Sequence, residues 1–211
     1  MKIGIIAALI IIFTKSFLEI ADDYNESEIR HFDSFVIAGV QGHVSPFWTK
    51  VMVSISFLGS VRWIMILSIA TALILFLFKH RLLCLYVIFT VSLGGAFNWI
   101  LKSIFQRQRP DIEPIIEEQG YSFPSGHSMG SFIFYGALAF IIFKLYEHRL
   151  AKAAGVLLVS LLVLAIGISR IYLGVHYPSD IVGGYTAGAA WTFICITGYS
   201  FLDFRLKKRL E

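Results

Sequence analysis

The stretch AKAAGVLLVSLLVLAIGI, at residues 151–168, decides the class of fold, because Lys152 is its only charged residue. A helix crosses the hydrocarbon core of a bilayer with about 20 apolar residues. No water satisfies backbone polar groups in that core, so an apolar run of this length has to be helical. Five further runs are mostly apolar, and they lie at residues 3–20, 59–78, 82–101, 129–146 and 181–201. The sequence therefore predicts an all-α integral membrane protein with six transmembrane helices.

The composition agrees with a membrane protein and excludes several other classes. Of the 211 residues, 57% are hydrophobic and only 15% are charged, whereas a soluble domain carries about 25% charged residues. The five prolines and 17 glycines are too few for a collagen-like or low-complexity chain. Both cysteines, Cys84 and Cys195, fall in apolar runs, so neither a disulfide framework nor a zinc site is expected.

The organisation of the chain indicates one unit. We find no second domain, long linker or internal repeat, and we predict a single domain over residues 1–211. The first apolar run follows Lys2 and has the shape of a signal peptide. Because no clear small-x-small cleavage site precedes Asp22, we favour an uncleaved first span over that alternative.

The placement of the cations predicts the orientation in the membrane. With the N-terminus inside, the inner loops and tail hold ten Lys and Arg residues and the outer loops hold six. Cytoplasmic loops carry an excess of these residues, so both termini of this multi-pass cell-membrane protein are expected in the cytoplasm. The net charge of +4 could suggest a nucleic-acid partner. In a membrane protein, however, the placement of the cations matters more than their sum, so we expect no such partner.

Residues 21–58 form a stretch that is too long for a bare connector. Apolar residues from Phe32 to Val40 recur at near-helical spacing, and Phe47 and Trp48 follow them. We interpret the stretch as an amphipathic helix and an aromatic anchor on the outer membrane surface. A plain solvated loop is the alternative.

Three cations on the predicted outer face, Lys102, Arg109 and Arg170, go against the orientation rule, and each lies near other reactive side chains in three segments of the chain. Ionisable groups at membrane spans are expensive and are candidates for function by default. The topology brings the three segments to one membrane face. In chain order they are Lys102 with Arg109 and Pro110, the run Pro124-Ser125-Gly126-His127, and Ser169-Arg170 with His176 and Asp180.

The residue types in these segments suit a phosphate group. Lys102, Arg109 and Arg170 are three cations that match a dianionic phosphate and the charge that develops in its transition state. Arginine adds forked donors that fit phosphate oxygens. Ser125 and Gly126 lie where a helix begins, so free backbone N–H groups can point at an anion.

The two histidines can divide the chemistry of phosphoryl transfer. A neutral imidazole can attack phosphorus, and a protonated imidazole can donate a proton to the leaving alkoxide. Asp180 follows His176 by four residues and is near enough to orient its ring, so His176 is the candidate nucleophile. His127 follows the phosphate-binding turn and is the candidate general acid. Neutral His176 and protonated His127 predict a bell-shaped pH profile.

The three segments together resemble the signature of the type 2 phosphatidic acid phosphatase (PAP2) superfamily. Every signature position is filled at the expected spacing, and the resemblance extends over residues 101–185. It implies a phosphohistidine at His176, an orienting partner at Asp180 and a general acid at His127. It also implies a metal-independent phosphatase that needs no cofactor. The implied phosphate clamp consists of Lys102, Arg109, Ser125, Gly126 and Arg170.

The resemblance also suggests the substrates, because the compact chain resembles bacterial members of the family. These act on lipid phosphates or lipid diphosphates. We expect phosphatidylglycerol phosphate first, an isoprenoid carrier diphosphate such as undecaprenyl diphosphate second, and phosphatidic acid third. The lipid is expected to enter sideways, with its tails in the bilayer and its phosphate in the outer interfacial region.

Two other functions fit parts of the pattern. A serine hydrolase would use Ser125, but the surrounding residues are not a Gly-x-Ser-x-Gly elbow, and His127 is poorly placed to activate that serine. A non-catalytic lipid-phosphate receptor or transporter would use the same cations. It would not need His127, His176 and Asp180 together.

Several neighbouring polar residues lie outside the signature. Arg107 matches no required position and is expected to be a surface charge. Asn98 is expected to form a hydrogen bond between helices. We expect Glu113, Glu117 and Glu118 to form a solvated loop face.

Overall fold

The structure is a computed structural model that describes residues 3–209. Over this part of the chain it contains eight α-helices and no strands. The helices are α1 (Ile3–Asp23), α2 (Ser27–Gln41), α3 (Pro46–Leu58), α4 (Val61–Leu77), α5 (Arg81–Phe105), α6 (Gly126–Leu145), α7 (Arg149–Tyr172) and α8 (Pro178–Lys208).

Helices α1, α5, α6, α7 and α8 are each long and apolar enough to cross a membrane. Helices α3 and α4 meet that criterion as a pair, with a bend of 45° between them. The bend coincides with Gly59 and Ser60, where the Ser60 hydroxyl caps α4 by accepting a hydrogen bond from the Trp63 amide at 3.3 Å. Residues 3–209 thus hold five candidate spans, or six when the bent pair counts as one. The prediction of an all-α membrane protein with six spans is confirmed.

Residues 21–58 form two helices where the sequence predicted one. Helix α2 coincides with the predicted amphipathic helix, and its Phe35 side chain is 79% exposed. Phe47 and Trp48, the predicted aromatic anchor, belong to the first turn of α3 and are 69% and 48% exposed. That turn forms because Ser45 caps the helix and Pro46 occupies its first position.

Helix α8 lies at the centre of the molecule and packs against α1, α5 and α6. Its contact with α6 depends on glycines. A Cβ atom on Gly184 would lie 2.8 Å from the carbonyl oxygen of Ser125, and one on Gly188 would lie 3.1 Å from that of Met129. The missing side chains therefore allow the two backbones to approach closely at the amino end of α6.

The connection at residues 106–125, between α5 and α6, is anchored by aromatic packing. Phe123 is fully buried and stacks on Phe17 and Tyr24, each with ring centroids 5.6 Å apart. It also contacts the edge of Phe105 at 5.3 Å. These contacts fix the connection over one end of the helices, where the segments singled out from the sequence meet.

Candidate active site

The carboxyl ends of α5 and α7 and the amino ends of α6 and α8 lie together at one end of the molecule. The Ser125 amide, at the start of α6, donates to the carbonyl of Asp180 in α8 at 3.0 Å. Arg109, in the 106–125 connection, donates to the carbonyl of Val175 just after α7 at 2.7 Å. The structure therefore brings the three predicted segments into one site.

His176 lies in the short connection between α7 and α8, and its side chain is 1% exposed. Its Nδ1 is 3.4 Å from Oδ2 of Asp180 and 3.2 Å from Oγ of Ser122, while its Nε2 is 3.4 Å from Nη1 of Arg109. Burial lowers the pKa of His176 to about 3, with Asp180 acting in the opposite direction. The imidazole is thus neutral at pH 7, and a proton on Nδ1 leaves the Nε2 lone pair on the Arg109 side.

Asp180 is the third residue of α8, and its side chain is fully buried. Its Oδ2 accepts hydrogen bonds from the Tyr177 amide at 2.9 Å and from the Ser122 hydroxyl. The position in the first turn of the helix places the carboxylate among free N–H groups, which favour its charged form. Asp180 is therefore well placed to orient His176.

Arg109 is held by backbone carbonyls. Its Nε donates to Gly120 at 3.0 Å, Nη1 to Val175 at 2.7 Å and Nη2 to Gln119 at 3.0 Å. A guanidinium has five N–H groups, so two remain after these three bonds. The two remaining N–H groups are on Nη1, which faces His176, and on Nη2, which faces Glu118.

Lys102 lies in the last turn of α5, and its Nζ donates to the carbonyl oxygens of Tyr121 and Ser122. One of its three N–H groups remains for another acceptor. A Cβ atom on Gly126 would lie 3.8 Å from Cε of Lys102, so the lysine runs beside the start of α6. Asn98, one turn earlier, donates to Sδ of Met129 in α6 at 3.4 Å, which confirms the predicted hydrogen bond between helices.

Arg170 is 1% exposed and lies in the last turn of α7. Its Nη1 donates to the Ser56 hydroxyl of α3 at 2.6 Å, and its Nη2 pairs with the Glu118 carboxylate. Within residues 3–209 its Nε is buried and has no hydrogen-bond partner. Arg170 therefore has a donor left over for an anion that enters the site.

Glu118 corrects an expectation from the sequence. The prediction that it belongs to a solvated face was wrong, because its side chain is only 26% exposed and points toward Arg170. Glu113 and Glu117 are exposed, as predicted. Besides Arg170, its carboxylate lies 3.9 Å from Nη2 of Arg109 and 3.8 Å from Nδ1 of His127. A negatively charged group thus lies among the side chains predicted to bind phosphate.

His127, the second residue of α6, is 16% exposed at its side chain and faces Glu118 through Nδ1. Its neighbour Ser125 is fully buried and caps α6, since its hydroxyl accepts from the Ser128 amide at 3.4 Å and from the Ser128 hydroxyl at 3.1 Å. The hydroxyl of Ser125 faces along its own helix and not toward a histidine, which disfavours the serine-hydrolase alternative. The role of Ser125 as a phosphate ligand stays a prediction.

Arg107 and Asp33 are two residues of the site that the sequence did not reveal. The prediction of a surface charge at Arg107 was wrong, because its side chain is 8% exposed and pairs with Asp33 and Asp180. Asp33 lies in α2, 74 residues earlier in the chain. No local spacing connects the two, so only the fold shows their contact.

The arrangement of His, Cys, Asp and Glu side chains bears on whether the site holds a metal ion. Over the described range, residues 3–209, no group of three or more His, Cys, Asp and Glu side chains is arranged to hold a metal ion. The catalysis without metal or cofactor that the resemblance implies stays a prediction.

Comparison with known proteins agrees with the class that this fold and site suggest. Residues 82–203 match the family model of the PAP2 superfamily. Because the match covers more than half of the chain, this protein belongs to the PAP2 superfamily. The predicted family and the predicted phosphatase class are confirmed.

Individual relatives extend the likeness beyond the signature. The chain is 30% identical to phosphatidylglycerophosphatase B of Bacillus subtilis over 153 residues, which are 71% of this chain and 74% of that protein. It is 31% identical over 141 residues to YbjG of Escherichia coli, a candidate undecaprenyl-diphosphatase, with 63% of this chain and 65% of that protein covered. The crystal structure of a transmembrane PAP2-type phosphatidylglycerolphosphate phosphatase from Bacillus subtilis superposes with a TM-score of 0.84. The sequence identity there is 26%, over 89% of this chain and 94% of that one.

Proposed function

We propose that this membrane phosphatase removes phosphate from a lipid in two steps, through a phosphohistidine at His176. One observation carries the proposal. The Nδ1 atom of His176 faces Asp180 and its Nε2 faces Arg109, so the ring is oriented for attack on an anion bound at Arg109. Neutral imidazole in this orientation is a nucleophile with an orienting carboxylate.

In the binding step, the phosphate takes the place of the Glu118 carboxylate. Arg170 and Arg109 already pair with that carboxylate. The side chain of Lys102, from the last turn of α5, runs beside the start of α6 and has one N–H group left to donate. The free backbone N–H groups of the first turn of α6 complete the cradle. Three cations and a helix terminus compensate a dianion and the charge of its transition state.

In the first chemical step, Nε2 of His176 forms a bond to phosphorus while the ester P–O bond breaks. The bound dianionic phosphate favours a proton on His127, which passes to the leaving oxygen, and the dephosphorylated lipid departs. The Nδ1 proton of His176 stays hydrogen-bonded to Asp180, which stabilises the positive charge that develops on the ring.

In the second step, water attacks the phosphorus of the phosphohistidine. His127, now neutral, accepts a proton from this water, the P–N bond breaks and inorganic phosphate leaves. The two steps together return both histidines to their starting protonation states, so each turnover consumes one water and produces one phosphate.

Phosphatidylglycerol phosphate is the substrate that we favour. The support is the likeness to phosphatidylglycerophosphatase B, which extends over 71% of this chain, and the TM-score of 0.84 with a phosphatase of the same name. Undecaprenyl diphosphate is the second candidate, because the relative YbjG bears that activity in its name. A receptor or transporter that only binds lipid phosphate is the alternative of another class.

We further propose that the site faces the extracytoplasmic side of the cell membrane and that both termini are cytoplasmic. Because α5 and α7 end at the site and α6 begins there, the connections at residues 78–80 and 146–148 lie at the opposite end of these helices. These connections, with the flanking residues and the carboxyl-terminal tail, carry the larger share of Lys and Arg.

A lipid panel tests the function. Purified protein is given phosphatidylglycerol phosphate, undecaprenyl diphosphate and phosphatidic acid in turn, and released phosphate is measured with and without EDTA. We expect the fastest release from phosphatidylglycerol phosphate, no effect of EDTA and no release by a folded His176→Ala variant. Full activity of that variant would overturn the proposed chemistry, and faster release from undecaprenyl diphosphate would assign the second candidate. Binding of lipid without release would indicate the receptor or transporter.

A further inference from the structure

The guanidinium of Arg107 lies at the centre of a buried polar cluster beside the site. It stacks between the rings of Tyr177 and Tyr24, with Cζ 4.1 Å and 4.8 Å from the two centroids. Such stacking matches the flat guanidinium and holds it in one plane. Its Nη1 is 2.7 Å from Oδ1 of Asp180, and its Nη2 is 2.9 Å from Oδ2 of Asp33. One cation therefore joins two carboxylates that are both buried.

Asp33 is bound on its other side to the amino end of α8. Its Oδ1 accepts from the Ser179 amide at 2.8 Å, and its Oδ2 accepts from the Ser179 hydroxyl at 2.7 Å. Nη1 of Arg107 also donates to that hydroxyl at 2.8 Å. Helix α2 is in this way tied to the residue that precedes Asp180, so the cluster is fixed from both sides.

The two oxygens of Asp180 have different partners. Oδ1 is taken by Arg107, whereas Oδ2 receives the Tyr177 amide and Ser122 and faces Nδ1 of His176. A carboxylate bound at one oxygen cannot rotate freely, so the other oxygen stays in place for the imidazole. The main chain adds a second link, because the carbonyl of Arg107 accepts from the Ser122 amide at 2.8 Å.

We propose that Arg107, held by Asp33, is a positioning residue that fixes the Asp180 carboxylate and thereby the ring of His176. The proposal rests on the proposed function, in which His176 is the nucleophile. Arg107 touches neither the phosphate nor the reacting nitrogen and acts through Asp180. A lysine can pair with only one of the two carboxylates in this geometry, because it lacks the fork that reaches both.

The expected effect is on turnover and not on substrate binding. Partners that orient a functional histidine through a second group contribute about 10- to 100-fold, as known for histidines in metal sites. We therefore expect Arg107→Gln to lower kcat by about 10- to 100-fold and to change KM by less than about 2-fold. The phosphate clamp of Lys102, Arg109 and Arg170 is unchanged in this variant.

A double-mutant cycle between Arg107 and Asp180 tests the proposal on the lipid that the wild type hydrolyses fastest. In the Asp180→Asn background, Arg107→Gln is expected to lower kcat by less than about 2-fold more, because the group through which it acts has already been altered. Arg30→Gln is the matched control, since Arg30 is exposed in α2 near Asp33 and contacts neither carboxylate in the described structure. We expect wild-type kcat from it.

Thermal melting in detergent accompanies each variant. If Arg107→Gln does not fold, Arg107→Lys replaces it in the cycle. Its loss of kcat is expected to be smaller, because lysine keeps one ion pair, and to fall below about 2-fold in the Asp180→Asn background. Equal losses of kcat in both backgrounds, or no loss in the wild-type background, would overturn the positioning role. Failure of the proposed function gives a different result, since His176→Asn and Asp180→Asn would then keep wild-type turnover.

Discussion

At the scale of single residues, Glu118 occupies the place proposed for the phosphate of the substrate. Its carboxylate pairs with Arg170 and lies near Arg109 and His127, so the proposed binding of phosphate at these cations requires it to move. The loop that carries Glu118 connects the Lys102 and Arg109 segment with the start of α6. The proposal therefore couples the binding of substrate to a movement of this side chain.

Replacing Glu118 by Gln is expected to strengthen the binding of phosphate. With the carboxylate neutralised, an anion no longer competes with a negative group for Arg170, and the inhibition constant of inorganic phosphate should fall by about 3- to 10-fold. Inhibition by added phosphate at constant lipid measures this. Glu117→Gln, one residue away on an exposed side chain, should leave the constant unchanged. A weaker or unaltered constant for Glu118→Gln would contradict this competition.

The buried His176 makes stability depend on pH. Its pKa is lowered from the ordinary 6.5 to about 3 by burial, so the unfolded chain binds a proton below pH 6.5 that the folded protein excludes. The folded state therefore loses this contribution as the pH falls from about 6.5 toward 3 and keeps it fully above 6.5. Melting temperatures at pH 7.5 and 4.5 should differ less for His176→Asn than for the wild type. Equal differences would contradict the neutral, buried imidazole.

At the scale of helices, the close contact between α6 and α8 places the Ser125 amide 3.0 Å from the carbonyl oxygen of Asp180. A Cβ atom at Gly184 would lie 2.8 Å from the Ser125 carbonyl and 3.0 Å from Cβ of Ser128, and neither neighbour is a flexible side-chain end. The position of the turn at Ser125 and Gly126, the proposed phosphate-binding turn, therefore depends on the absence of a side chain at this point of α8.

Gly184→Ala is expected to destabilise the protein by about 1–3 kcal/mol and to lower kcat, since it forces α8 away from the phosphate-binding turn. Gly198→Ala in the same helix is the matched control. A Cβ atom there meets nothing within 4 Å, and alanine favours a helix over glycine by about 1 kcal/mol. Thermal melting in detergent and phosphate release measure both effects. A Gly184→Ala protein as stable and active as Gly198→Ala would show that the close contact is not required.

The sequence predicted the helices better than the contacts between them. Long apolar runs identify α1 and α4–α8, because the bilayer imposes one structure on them. Helix α3 was missed because its polar start at Ser45 and the break at Gly59 resemble loop signals. Arg107, Asp33 and Glu118 were missed for another reason, since their partners are distant in sequence and the cluster has no regular spacing. The signature residues were found because their chemistry and spacing fit one task.

At the scale of the whole molecule, the proposed orientation places the site and the carboxyl terminus on opposite sides of the membrane. Fusions of a reporter to the carboxyl terminus test this. Green fluorescent protein, which matures in the cytoplasm, is expected to fluoresce there, and an alkaline phosphatase reporter, which needs an oxidising compartment, is expected to be inactive. The reverse pair of results would place the site on the cytoplasmic side.

The outer surface of the helices bears on how a lipid reaches the proposed site. Large apolar side chains such as Ile69 of α4 and Leu158 of α7 are exposed on the outside of the helices, as expected of a surface that faces lipid tails. The cations lie at one end of these helices. A phosphate at the level of the head groups can therefore meet them while its tails stay in the bilayer.

Trapping of the covalent intermediate tests the proposed chemistry most directly. Wild-type protein is mixed with lipid that carries a radioactive phosphate and is quenched in base within one turnover, and the labelled residue is located by mass spectrometry. We predict phosphate on the imidazole of His176 and no label in a folded His176→Asn protein. Rapid turnover with no label on His176, or with the label on another residue, would contradict nucleophilic attack by this histidine.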